Sequence, residues 1–458
     1  MVFSSTIFLF AFLPFVLLTY FFANDKLKNL VLLTASLFFY AWGEPKNIFL
    51  MLITIVVNYV CGLCIERKEK LKKVFLIFAV LFDIGCLFVY KYLNFTVDTV
   101  NSLFASSIPV RTIALPIGIS FYTFQIISYV VDVYRKEVPA QKNILNLGLY
   151  LSLFPQLIAG PIVRYVDVAR EINKRNTTPD DMYTGIMRFC VGFSKKVLLA
   201  DQLSPLVDVA FSGENSILLK WVGIIAYALQ IYFDFSGYSD MGIGLGRIFG
   251  FHFLENFNYP YISRSIKEFW RRWHISLSTW FRDYLYIPLG GSRKGTARTY
   301  INLMIVFFTT GFWHGASFNF IVWGLYYGVF LIFERLQWGK ILNKMPRIFQ
   351  HVYAIIIVLI GWVFFRANDL PVALEYIKGM FVPAGRDLVY LNYHMNLQYW
   401  FCLLAGIALS IPHGKLEARI RKTTVGYWLM DTLVFVVFLL AICYMVGSGY
   451  SPFLYFRF

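Results

Sequence analysis

The chain has 458 residues, of which 58% are hydrophobic and 15% charged, with mean hydropathy +0.61 and a formal net charge of +16. Water-soluble domains carry about 25% charged residues, so the composition excludes a soluble globular protein and describes a membrane protein. The positive excess has neither a basic tail nor an aromatic-and-basic surface domain that would serve nucleic acid, and it fits anionic lipid head groups and anionic ligands instead.

A spanning helix needs about 20 mostly apolar residues. Apolar runs lie at roughly 4–23, 28–42, 47–65, 73–92, 113–134, 184–203, 219–250, 300–315, 317–334, 350–366, 396–412 and 427–447. They predict an all-α polytopic protein with about 11 spans plus re-entrant or interfacial pieces. No Lys or Arg precedes Lys26, so the first run reads as a retained span rather than a cleaved signal. Cys61, Cys64, Cys86, Cys190, Cys402 and Cys443 all fall in apolar runs and read as small buried hydrophobes.

Orientation follows from Lys and Arg in short loops. The runs Arg67–Lys73, Arg135-Lys136 with Lys142, Arg264–Arg298 and Lys415–Lys422 are expected on the cytoplasmic side, which puts both termini outside. Residues 144–163 are apolar but contain Pro155, Gln156, Gly160 and Pro161, with basic flanks on both sides. That pattern predicts a segment that enters the membrane and turns back under a cover of protein. The longest polar stretch, about 164–182, is too short to build a core. The whole chain, 1–458, therefore reads as a single membrane domain, with a basic segment at 264–298 and an aromatic tail at 448–458.

Residues 234–240 read Asp-Phe-Ser-Gly-Tyr-Ser-Asp. Carboxyls at membrane depth face a cavity or a partner, or they tie neighbouring helices in a polar knot. Gly242, Gly246 and Gly250 follow at intervals of four, which suits close helix packing. No strand precedes them, so they are not a dinucleotide-binding loop.

Of six histidines, His252, His351, His394 and His413 lie near helix ends or in polar segments and read as solvated caps. His274 stands at a basic, aromatic border, Arg271-Arg272-Trp273-His274, where an interfacial role is also open. His314 is different, because no Lys, Arg, Asp or Glu stands between Thr299 and Phe333. A titratable ring in hydrocarbon points to function, although a core histidine bonded to a carbonyl would read the same way. No second His or Cys stands at ligand spacing from His314, so no metal site is expected. A neutral buried imidazole suits proton abstraction from a hydroxyl as it attacks an activated acyl group. No G-x-S-x-G elbow supplies a serine nucleophile.

Arg271-Arg272-Trp273-His274, with Trp313-His314-Gly315 about 40 residues later, resembles the membrane-bound O-acyltransferase family. The resemblance extends to its bacterial polysaccharide-acetylating branch through seven further stretches. These are 115–122 (Leu-Pro-Ile-Gly-Ile-Ser-Phe-Tyr), 159–162, 234–246, Phe257-Asn-Tyr-Pro-Tyr261, Pro288-Leu-Gly-Gly-Ser292, Gly311–Ser317 and Gly361–Ala367. The resemblance implies a bacterial inner-membrane enzyme built as tilted helices around a funnel. It maps the family's histidines to His314, as base, and His274. It implies acetyl-CoA as the acyl donor, no bound cofactor, a polysaccharide as final acceptor and an extracytoplasmic SGNH/esterase-like acetyltransferase as partner.

Within that frame Arg271, Arg272, Arg282, Arg293 and Lys294 are candidates for the phosphates of coenzyme A, with anchoring to anionic lipid as the alternative. Asp234, Ser236, Trp313 and Ser317 are candidate polar groups of the funnel. The chain ends Phe453-Leu-Tyr-Phe-Arg-Phe458. This stretch serves either as an aromatic membrane anchor or, by resemblance to a small partner protein of teichoic-acid D-alanylation, as an acyl relay through Tyr455. A transporter or flippase of a lipid-linked sugar would account for Asp83, Asp132, Asp234 and Asp240 as coupling-ion sites, but it leaves His314 without a role. Transfer to lipid or protein is the other alternative. The polymer stays open among alginate, peptidoglycan, cellulose and other exopolysaccharides.

Overall fold

The computed structural model describes all residues except 111–112, 158–159, 214–215, 384, 386, 449–452 and 455–458. The described residues form helices and turns, with no strand. Among the described residues, five helices are long and apolar enough to cross a membrane on length and composition alone: Ile48–Arg67, Lys72–Phe104, Ile217–Ile248, Arg347–Arg366 and Thr424–Gly447. The expectation of about 11 spans counted apolar runs, and several of those runs form helices shorter than a full span or change their winding. The first is the helix Phe8–Phe22, which opens with a wide π-type turn at Phe8–Phe12. The run at 184–203 likewise changes to a π-type turn at Lys196–Ala200. Leu397–Leu409 is only 13 residues long. The chain divides into two units, residues 1–189 with 241–254 and residues 190–240 with 255–458, and the helix Ile217–Ile248 contributes to both.

In the first unit, Ile119–Arg135 is buried along most of its length, including Gln125, Ser128 and Asp132. The segment at 144–163 is two short helices, Ile144–Ser152 and Phe154–Leu157, broken at Leu153. Its backbone is covered by protein, as irregular chain in an apolar setting requires. The Phe154 amide donates to Ser36 Oγ at 3.1 Å, and the Tyr150 hydroxyl donates to the Val163 carbonyl at 2.9 Å. The chain doubles back tightly here, because a Cβ on Gly160 would stand 2.7 Å from Gln156 Cα. Phe8, Phe12, Phe39 and Phe154 pack against this break with ring centroids 5.4–6.3 Å apart. The helix Pro179–Lys195 begins with a reciprocal cap, Thr178 Oγ1 accepting from the Asp181 amide and Asp181 from the Thr178 amide, both at 3.1 Å.

The glycines expected to mediate helix packing divide their roles. A Cβ on Gly242 would stand 2.5 Å from the Pro155 carbonyl oxygen of the short helix Phe154–Leu157, whereas Gly246 lies against Phe253 and Gly250 has φ +81° in the turn that ends the helix. Close helix approach is shared by Gly244 against the Gly185 carbonyl and, in the second unit, Gly237 against the Gly192 carbonyl, both at 2.6 Å from where a Cβ would sit. Of the three glycines four apart, Gly242 is the one that packs on a helix.

In the second unit, Thr296–His314 runs against Phe318–Arg335 through a short turn. A side chain at Gly311 would strike the Phe320 carbonyl, and one at Gly324 the Phe307 carbonyl. The backbones touch because both positions lack Cβ, the small-residue packing that membrane helices favour. Gly361 brings Arg347–Arg366 equally close to Tyr327. Asn319 locks the end of that third helix, its amide donating to the Phe364 carbonyl at 3.1 Å and the Ala367 carbonyl at 2.8 Å.

The basic segment at 264–298 is folded rather than a surface loop. It forms Ile266–Arg272, Ile275–Phe281 and a π-type turn at Arg282–Tyr286, and it buries Phe269, Trp270, Trp273, Leu277, Trp280 and Phe281. Its arginines point outward because its aromatic residues fill the core.

Candidate active site

His314 is the last residue of Thr296–His314, where Gly315 leaves the helix in extended conformation. It is 4% exposed. Its ring sits edge-on to Trp323 at 5.0 Å, Phe365 at 5.1 Å and Trp313 at 4.9 Å. Each such pair contributes roughly 0.5–1.5 kcal/mol beyond burial. Three helices therefore fix the imidazole: its own, Phe318–Arg335 through Trp323, and Arg347–Arg366 through Phe365. Asn319 holds the turn beside Phe365 in register.

His274 is fully buried and joins two short helices in the left-handed region at φ +45°, an uncommon conformation for a residue with a side chain. Backbone bonds hold it there: the Ile275 amide donates to the Asn256 carbonyl and the Asn258 amide to the Arg272 carbonyl, each at 2.9 Å. Asn256 Oδ1 accepts from Ser276 Oγ at 2.9 Å and lies 3.1 Å from His274 Nδ1. Nδ1 therefore carries the proton and Nε2 the lone pair. Nε2 is buried without a hydrogen-bond partner among the described residues. Burial pushes the imidazole down to about 3, so it is neutral at physiological pH. Its ring meets Phe235 at 4.7 Å and Trp313 at 6.4 Å. The two histidines, 40 residues apart in sequence, thus both have Trp313 as a neighbour.

The basic candidates separate. Arg271 and Arg272 line a cavity of about 690 Å³ together with Lys267 and Arg335, four cations against the carboxylates of Glu268 and Glu334. Arg272 is paired with Glu268 at 2.9 Å, whereas Arg271 and Arg335 have no carboxylate partner among the described residues. Burial raises the Glu268 carboxyl, but the Arg264 amide and the Arg272 guanidinium outweigh it and hold the group below its ordinary value. Arg282 is bound to Asp283 at 2.6 Å, and Arg293 and Lys294 are exposed on the glycine turn; none of these three lines the cavity. Trp270, next to Arg271, packs on Trp323 at 5.7 Å, which packs on His314.

Asp234 is bound to Lys196 at 2.9 Å, and Asp240 to Lys195 at 2.7 Å. The polar knot between neighbouring segments is what the structure shows for both carboxyls. Ser236 is buried, with no hydrogen-bond partner for its hydroxyl among the described residues. Ser317 is half-buried and bonded to Asn319. Tyr455 lies outside the described residues. The sequence reading did not anticipate Lys196, Asn256 or Asn319. A Lys two residues after a serine in an apolar run, with Asp201 five residues on, was the available signal for Lys196.

A polytopic helical protein with two buried histidines around one tryptophan defines a membrane enzyme, and comparison with known proteins supplies the class. Residues 34–368 match the membrane-bound O-acyltransferase family. The chain is 45% identical to "Probable alginate O-acetylase AlgI" of Azotobacter vinelandii over 422 residues, 90% of this chain and 84% of that protein. It is 32% identical to a peptidoglycan O-acetyltransferase of Helicobacter pylori, covering 100% of this chain and 98% of that one. A teichoic acid D-alanyltransferase of Bacillus subtilis is 30% identical over 246 residues, half of this chain. The chain belongs to the membrane-bound O-acyltransferase family. It is a multi-pass membrane protein and an acyltransferase.

Proposed function

We propose that this enzyme takes acetyl from acetyl-CoA at the cytoplasmic face of a bacterial inner membrane and passes it outward for O-acetylation of a polysaccharide. The similarity to alginate and peptidoglycan O-acetylating proteins supports the acyl group and the acceptor class. The observation that carries the mechanism is His314, a buried ring fixed by aromatic residues from three helices. In this reading an imidazole nitrogen takes the proton of the acceptor hydroxyl. The oxygen attacks the thioester carbonyl, the C–S bond breaks, and the thiolate of coenzyme A leaves and is protonated. His274, neutral and held by Asn256, completes the polar face beside Trp313.

The cavity with an excess of cations suits the phosphates of coenzyme A, with Arg271, Arg272, Lys267 and Arg335 as binding groups. Acceptance at the outer side is assigned to Tyr455, whose ester then passes to an extracytoplasmic SGNH/esterase-like acetyltransferase. Both termini lie outside. The test uses the full chain in proteoliposomes with radiolabelled acetyl-CoA. His314→Ala is expected to abolish label turnover, and Tyr455→Phe to abolish onward transfer while donor binding persists. Thioester turnover unchanged in His314→Ala overturns the assignment of the base.

A further inference from the structure

Lys196, Asp201 and Asp234 form a buried ionic cluster in the second unit. Lys196 is 1% and Asp234 2% exposed. Lys196 Nζ lies 2.7 Å from Asp201 Oδ1 and 2.9 Å from Asp234 Oδ1. The wide π-type turn at Lys196–Ala200 suits the contact with Asp201 five residues on. The second carboxylate oxygen of Asp234 is used otherwise: it accepts the backbone N–H of Leu454 at 2.9 Å, 220 residues away. Phe453, 1% exposed, lays its ring on Tyr238 at 4.9 Å and near Phe235 at 5.9 Å. Phe235 is the ring against which His274 packs.

The arrangement divides one buried carboxyl group between the Lys196 ammonium on one oxygen and a tail amide on the other. A charge-assisted bond to a backbone N–H is among the stronger hydrogen bonds, and no side chain on the tail is needed to make it. Phe453 then fixes the tail sideways by aromatic packing. We infer that Asp234, held by Lys196, is the docking acceptor for the chain's own C-terminal segment, and thereby a positioning residue for the residue that follows Leu454. The second half of this statement rests on the acceptor role proposed above for Tyr455.

The test places a thiol on the tail. Leu454→Cys in the full chain, with the exposed Cys443 changed to Ser, is treated with a membrane-impermeant maleimide in proteoliposomes. The thiol is expected to be protected. Adding Asp234→Ala is expected to raise its labelling rate on the order of tenfold or more, as loss of a charge-assisted bond predicts. Protection unchanged in a monodisperse Asp234→Ala protein overturns the inference. If that variant fails to fold, Leu454→Pro removes the donated N–H, together with the leucine side chain, and leaves Lys196, Asp201 and Asp234 unchanged. With Ser451→Cys as reporter, which keeps the Phe453 ring, faster labelling in Leu454→Pro supports docking and unchanged labelling overturns it. Polymer acetylation is read in the same Leu454→Pro variant without the cysteine. Its loss supports the positioning role. Full acetylation from a released tail leaves docking standing and overturns the acceptor role of Tyr455.

Discussion

Two regions of the second unit bury polar groups in opposite ways. Around His314 and His274 the imidazoles are packed among rings, Trp313, Trp323, Phe365 and Phe235, and burial keeps His274 neutral. Around Lys196 the groups are charged and neutralise one another through Asp201 and Asp234. A neutral imidazole costs little to bury, because desolvation penalises only its charged form. A buried ion is tolerable only with partners at hydrogen-bond distance. Reactivity and structural anchoring are thus assigned to different kinds of burial, about one ring apart, since Phe235 touches both His274 and Phe453.

Breaking the charged region should produce the largest change in stability. Lys196→Ala leaves the buried Asp234 and the half-buried Asp201 without their cation and is expected to cost about 3–5 kcal/mol. Thermal unfolding in detergent would register that loss, while His314→Ala, a truncation among aromatic rings, should lower the transition far less. Gly311→Val tests whether the histidine region depends on helix contact. Its side chain must displace the Phe320 carbonyl, at a cost of about 1–3 kcal/mol, and acetyl transfer should fall with it because His314 lies three residues on.

Asn256→Ala sharpens the comparison within the neutral region. It removes the acceptor shared by His274 and Ser276 and should cost about 1–3 kcal/mol. Transfer assays should show the loss even under conditions where the protein remains folded.

The smallest effect is expected in the first unit, where His252 is half exposed and bonded to Glu171 at 2.8 Å and Asp181 at 3.1 Å. Partial burial pulls its pKa down, but the two carboxylates outweigh this and raise it above the ordinary 6.5. Protonation therefore favours the folded state. The contribution is fully present below 6.5 and fades as pH rises through the raised value. The melting-temperature gap between the parent and His252→Gln should be widest at pH 5.5–6 and should close at alkaline pH. A gap that widens with pH would contradict this sign. His252 was read from sequence as a solvated cap, because Glu171 and Asp181 are 81 and 71 residues away in the chain.

The sequence by itself determined the class of molecule. Its low charge and its apolar runs of helix-spanning length pointed to membrane helices, which satisfy every backbone group within the segment. It also singled out His314, since a ring in an uncharged stretch of more than thirty residues stands out without any neighbour being known. Tertiary structure decided the rest. Which arginines share a cavity, which glycines let helices touch and which cation neutralises Asp234 all depend on contacts distant in sequence. Local pattern reports the period and polarity of one segment, whereas a buried charge is explained only by the partner that another segment brings to it. For Asp234 those partners are Lys196, 38 residues before it, and an amide at the far end of the chain.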